Sequence, residues 1–151
     1  MANAMLAPVV RLIAEHACRA LVITAADLID SGQFARLAEV FAGDALLVRP
    51  NGAALRGCDA IIASYAARPA NRISRHLILG TNFTEVASDR AVAATQVLLW
   101  NGNTDDDPGQ FGRPARGQQI VGRFDDEFAF IDDAWYITKR VASFELFAAN
   151  P

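Results

Sequence analysis

The chain is poor in cysteine and histidine, with two of each in 151 residues, and each scarcity removes a class of protein. Cys18 and Cys58 have neither the density of a disulfide framework nor a metal-ligand spacing. They read as free thiols in a reducing compartment, so the cytoplasm is the expected location. No HxxxH or CxxC spacing occurs, and no metal site is expected. An excess of positive charge is also missing. Fourteen Lys and Arg stand against seventeen Asp and Glu for a formal net charge of -3, without a basic stripe, so nucleic acid is not an expected partner. No glycine-rich phosphate cradle or nucleophile elbow is present, and no cofactor is expected.

Long apolar runs are absent as well. The stretch MANAMLAPVVRLIAEHACRALVIT lacks a basic leader region and is interrupted by Arg11, Glu15, His16 and Arg19, so an amphipathic helix is expected there rather than a signal peptide or membrane span. What is present is a globular balance, 52% hydrophobic and 21% charged. A chain of this length can bury about 70% of the surface its unfolded form exposes, and a single domain over residues 1–151 is expected.

Leu6, Val9, Val10, Ile13, Ala17, Ala20, Leu21, Thr24 and Leu28 recur at three- and four-residue steps, so residues 6–29 predict one long helix stopped by Asp30, Ser31 and Gly32. A second, shorter helix is predicted over 33–42, a hairpin turning at Pro50-Asn51-Gly52 over 45–57, and a third helix over 58–67. Long strands follow at 72–87, 90–101, 118–131 and 134–147, with tight turns at Ser88-Asp89 and Asp132-Asp133. Residues 101–117 are too polar and too rich in Gly and Pro for regular structure, and a loop of that length is functional or mobile. Helices followed by antiparallel strands make an α+β pattern, with the helices laid across a curved sheet around a cavity open at one end.

Within the first long strand, ISRHLILGTNF (residues 73–83), alternation places Arg75, Leu77, Leu79, Thr81 and Phe83 on one face and Ser74, His76, Ile78, Gly80 and Asn82 on the other. One face suits a core and the other a polar-accented pocket. Trp100, Phe124 and Tyr136 on the strands and Tyr65 on the third helix are candidates to line it for a flat, apolar ring.

The element order, together with DSGQF at 30–34, SRHLILGTN at 74–82, GRFDDEF at 122–128 and AWYITKR at 134–140, resembles the SnoaL-like branch of the NTF2-like superfamily over nearly the whole chain. The resemblance implies a cone of three amino-terminal helices on a strongly curved, antiparallel or mixed sheet enclosing a pocket. It also implies a small-molecule ligand and a homodimer formed through the open sheet face. Carried over motif by motif, the family's strand histidine falls on His76, its carboxylate after the first helix on Asp30, and its basic residue beyond the last strand's Trp on Arg140. Ala25 stands where related dehydratases often have a tyrosine, and Gln96 and Trp100 occupy the strand where they tend to carry a second carboxylate.

Imidazole titrates near neutral pH, with an unperturbed pKa of about 6.5, so His76 is the expected general base or acid. Asp30 would orient it, and Arg140 would stabilise an enolate or bind an acidic group. Asp27, one helical turn earlier, could stand in for Asp30. Such a set suits a cofactor-free dehydratase or isomerase acting on a small, largely apolar cyclic molecule. Each residue also has a structural reading: His76 as a core histidine bonded to the backbone or Asn82, Asp30 as a turn residue, and Arg140 as the partner of Asp126 or Glu127 across the sheet. The alternative function is a non-catalytic binding or assembly domain.

Overall fold

The computed structural model describes residues 6–149; the first five residues of the amino-terminal stretch and the last two of the expected domain lie outside the described residues. Pro8 opens α1 (Pro8–Asp30) at a position where its missing N–H costs nothing. Gly32, at φ +73°, ends it: the Gly32 and Gln33 N–H groups return to the carbonyls of Ile29 and Leu28, a left-handed helix stop that glycine adopts without strain.

The buried side of α1 differs from the expected stripe. Val9, Leu12 and Ile13 are more than 60% exposed, while Ala14, Cys18, Val22, Ala25, Ala26, Leu28 and Ile29 are buried. Four of these, Ala14, Cys18, Val22 and Ala26, form a four-residue-step line whose small side chains allow close approach to the sheet. Asp30 extends that line by one more step. Asp27 lies off it and is exposed.

The predicted second helix is only a 3₁₀ segment, Phe34–Glu39. Phe41 and Ala42 belong instead to β1 (Phe41–Val48), where both are buried, because this strand docks beside the carboxy-terminal strand and its apolar residues fill the core from there. β1 also forms the predicted hairpin with β2 (Ala54–Arg56), and α2 spans Cys58–Ala66. Four long strands complete the chain: β3 (Arg72–Val86), β4 (Arg90–Asn103), β5 (Arg116–Ile131) and β6 (Ala134–Ala148). At the β5–β6 turn Asp132 and Asp133 both have positive φ, 49° and 63°, the twist a tight two-residue hairpin requires.

The sheet is mixed, with order β2-β1-β6-β5-β4-β3, β1 and β6 running parallel and every other pair antiparallel. Extra residues repeatedly interrupt the ladders, among them Leu79 between Ile78 and Gly80 on β3. Such bulges bend strands and increase their twist, and here they curl the sheet around α1. The core lies on its inner face, where Phe41, Leu47, Ile61, Ala93, Phe128 and Ile137 meet the small residues of α1.

The Leu79 bulge corrects the strict alternation expected for β3. Ser74, His76 and Ile78 face inward, but beyond the extra residue the phase inverts: Thr81 and Phe83 pair with the buried Thr95 and Ala93, and Asn82 turns outward. The expected loop is also shorter than 101–117, because β4 and β5 extend into it and only 104–115 is irregular. Its tip is anchored, with Arg113 donating to the Asp106 carbonyl, Arg116 paired with the Asp106 carboxylate, and Asn71 donating to Asp105. Among the described residues no helix is long and apolar enough to cross a membrane.

Candidate functional site

A cavity of about 240 Å³ opens between the inner sheet face, the last turns of α1 and the segment after α2. Ala26 and Ile29 close it from α1; Val97, Leu99, Gly122 and Phe124 form its sheet wall; Ala142 and Phe144 close it on β6. The volume is small beside the ~300–1,000 Å³ usual for drug-sized ligands, which suits a compact, single-ring molecule.

His76 stands on its wall, fixed by Asp30 at two points. Asp30 Oδ2 accepts the His76 backbone N–H at 2.7 Å, and Asp30 Oδ1 lies 2.6 Å from Nδ1 of the ring. The Ser74 hydroxyl donates to the same Oδ1 at 3.0 Å. Two structural facts bring these groups together: Asp30 ends the sheet-facing line of α1, and Ser74 and His76 share the inward phase of β3 upstream of the bulge. Both side chains of the pair are nearly buried. Burial alone would raise the Asp30 carboxyl, but the hydrogen bonds from His76 and Ser74 and the charge of the imidazole outweigh it, and its pKa lies below the ordinary carboxylate range. A carboxylate on Nδ1 selects the tautomer with hydrogen there, leaving Nε2 of this cavity-lining residue as the ring's acceptor.

Arg140 also reaches the cavity, but not as a free cation. Its Nε and Nη2 bind the two oxygens of Asp126 at 2.7 and 2.8 Å, both residues are buried, and the guanidinium carbon lies 4.1 Å over the Phe124 ring. Register explains the pair, since Arg140 and Asp126 are direct cross-strand neighbours facing inward on β6 and β5. Burial works against the charged guanidinium, yet the Asp126 carboxylate prevails and raises the Arg140 pKa above its usual value.

Of the other expected ligand contacts, Phe124 and Tyr65 line the cavity. Trp100, Asn82, Asp27 and Tyr136 do not. Trp100 is directly opposite Arg75 on the outer face and 42% exposed; Asn82 is turned outward by the bulge; Asp27 points to solvent from α1; Tyr136 is partly buried against the core. Sequence reading put Ser74 on the pocket face but missed its bond to Asp30, 44 positions away, and it missed Arg49, Arg68 and Arg72, which approach the cavity from three separate segments. The only local signal for Arg49 and Arg68 is that each directly precedes a proline at a turn. Among the described residues no group of three or more His, Cys, Asp or Glu side chains could hold a metal ion.

A long helix held in a curled mixed sheet around a one-ended cavity is an α+β cone of the cystatin-like kind. The sequence matches the SnoaL-like domain family over residues 10–141, and the chain belongs to that family. Solved structures of the same fold include a protein from Novosphingobium aromaticivorans provisionally named a scytalone dehydratase (15% identity, TM-score 0.79, covering 96% of this chain and 93% of that one). Another is the hexachlorocyclohexane dehydrochlorinase LinA-type3 from Novosphingobium barchaimii (17% identity, TM-score 0.79, 95% and 94% covered). A third is an uncharacterized protein with a cystatin-like fold from Caulobacter vibrioides (17% identity, TM-score 0.71, 88% and 90% covered). At these identities the likeness establishes the fold. No curated protein matches the sequence.

Proposed function

We propose that this protein is a cofactor-free lyase or isomerase acting on a small, largely apolar cyclic molecule, and that the whole chain serves as one domain for that purpose. The observation that carries the reading is the Asp30–His76 pair: a carboxylate that does not line the cavity holds one ring nitrogen of a histidine that does, and leaves the other nitrogen unengaged by it. In this reading His76 Nε2 takes a proton from a ring carbon. The released electron pair forms a new π bond to the neighbouring carbon; in elimination a leaving group departs from that carbon with its own pair, and in isomerisation the π pair already on that carbon shifts outward to a carbon that takes the proton back from His76. Asp30 stabilises the imidazolium, and Arg140, whose Nη1 lies outside the pairing with Asp126, stabilises negative charge as it develops. Two structural neighbours, one provisionally named a dehydratase and the other a dehydrochlorinase, agree with elimination chemistry.

A thermal-shift screen of cyclic ketones, hydroxy-steroids and aromatic acids, run on the wild type and on His76→Ala, tests this. A ligand at a hundredfold excess over its dissociation constant adds about 2.7 kcal/mol of stability. Hits turned over by the wild type and left unchanged by a folded His76→Ala protein are expected. Turnover that survives the substitution removes His76 from the chemistry, and hits without any turnover favour a binding domain.

The reading extends to a homodimer in the cytoplasm, where the buried Cys18 and Cys58 stay free thiols. The register aligns Leu77, Leu98, Val121 and Leu146 in one apolar row across the outer face of four strands, with Leu77 and Leu146 about half exposed or more. A second copy placed about a two-fold axis would cover that row with its own. A monomer mass by light scattering at micromolar concentration would count against it.

A further inference from the structure

Charge is distributed unevenly over this molecule. The chain is net negative, yet the cavity is lined by Arg49, Arg68, Arg72 and Arg140 and by no Asp or Glu. Arg140 is neutralised by Asp126, and the Asp30 carboxylate sits behind His76. The other three guanidiniums have no carboxylate within ion-pair distance among the described residues, and one Nη of Arg49 is buried with no hydrogen-bond partner.

These arginines converge although the sequence separates them. Arg49 follows β1 at the turn before Pro50, Arg68 sits in the link after α2, and Arg72 is the first residue of β3. Arg49 and Arg68 both lie against Tyr65, their guanidinium carbons 5.3 and 4.5 Å from the centre of that one ring. Tyr65 is itself stacked on Phe34. The aromatic ring offsets part of the repulsion between two like charges, but it accepts no in-plane hydrogen bonds from them. Burial lowers the Arg68 pKa from its usual value, and the neighbouring Arg72 and Arg49 push it the same way, against the opposing pull of Tyr65 and Asp30. A buried donor with no acceptor beside an unneutralised cation is costly for a fold to keep. An anion between the two guanidiniums would satisfy both.

We propose that the cavity takes a cyclic carboxylic acid, with its ring against Phe124, Val97 and Leu99 and its carboxylate held by Arg49 and Arg68. The proposal rests on the reading of this cavity as the ligand site and specifies the ligand's class. A carboxylate matches the planar, two-pronged geometry of guanidinium donors, and the apolar wall of the same cavity fits a ring. Tyr65 is then a positioning residue that holds both guanidiniums in place.

The test is calorimetric titration at fixed ionic strength with benzoate and cyclohexanecarboxylate, each paired with its carboxamide, and with inorganic phosphate. The proteins are wild type, Arg49→Gln, Arg68→Gln, Arg49→Lys and His76→Ala, each checked for folding by circular dichroism. At least a tenfold preference for acid over amide is expected in the wild type. It should be lost in either glutamine variant, partly kept in Arg49→Lys, and retained in His76→Ala. Equal affinity for acid and amide, or no binding of either, overturns the proposal. So does an acid preference that survives both glutamine variants, because the anion would then sit elsewhere. Phosphate binding as tightly as the cyclic acids, with the same arginine dependence, marks an anion site without a ring subsite and also overturns it. Because binding alone is read, a wrong assignment of the base would not disturb these outcomes, and a neutral ligand would leave the His76 chemistry standing.

Discussion

Asp30 binds His76 by both its ring and its backbone: one carboxylate oxygen lies 2.6 Å from Nδ1 and the other accepts the peptide N–H at 2.7 Å. The double contact sets the strand position and the ring orientation together, so the imidazole has little freedom to turn away from the cavity.

Asp30→Asn keeps the size of the side chain but loses its charge, and its amide can present a donor to Nδ1, which favours the wrong tautomer. On any substrate found by screening, kcat is expected to fall by about 10²- to 10⁴-fold with KM little changed. Ser74→Ala removes one of three hydrogen bonds to the carboxylate and should cost less, on the order of tenfold. Steady-state kinetics on both variants, ranked in that order, check the assignment.

Acid stability carries the same signature. The Asp30 carboxyl has a lower pKa folded than unfolded. Between those two values the unfolded chain binds more protons, so stability rises with pH there. The contribution is complete above the unfolded carboxyl value, about 4, and is lost as pH falls through the lower folded one. Urea denaturation from pH 3 to 7 should show wild type losing stability at the acid end more steeply than Asp30→Asn. Parallel curves would mean that the pair does not contribute.

Arg140 and Asp126 illustrate how a buried ion pair behaves when broken. Removing one partner, as in Asp126→Ala or Arg140→Ala, leaves a charge without its counter-ion in the core and is expected to cost about 3–5 kcal/mol. Arg140→Met combined with Asp126→Leu removes both charges and should cost less than either single change. Equilibrium unfolding of the three proteins gives the comparison directly.

The two thiols report on burial. Cys18 is fully buried and its thiol is pushed up to about 12 by desolvation; burial and the charge of Asp59 raise Cys58 as well. The reactive thiolate is therefore scarce at pH 8. Ellman's reagent is expected to label neither cysteine in the native protein and both after unfolding in guanidinium chloride. Rapid labelling of Cys18 in the native state would show that α1 separates readily from the sheet.

Much of this fold could be read from local pattern. Period-two apolar alternation located the four long strands to within two residues at each end, and tight turn chemistry at Ser88-Asp89 and Asp132-Asp133 joined them. Pattern failed where one extra residue changed the phase: with Leu79 bulged out, Asn82 left the inner face and Phe83 entered it. It failed again at Phe41 and Ala42, which have helical spacing but are drawn into β1 by the parallel partner β6, nearly a hundred residues later.

By itself the sequence determined the α+β class and most of the order of its elements, because these depend on neighbours in the chain or on a local pattern, and its resemblance to a family motif marked His76, Asp30 and Arg140 as candidates. Only the tertiary structure decided which charges remain free. It placed Asp126 directly across from Arg140 and neutralised it, and it gathered Arg49, Arg68 and Arg72 from three segments around one cavity with no carboxylate among them. The pairing of Arg140 with Asp126 or Glu127 is legible from the hairpin between the last two strands, and the structure selects Asp126; the gathering of three arginines acts over a few ångströms of space whatever their separation along the chain, and spacing does not reach it.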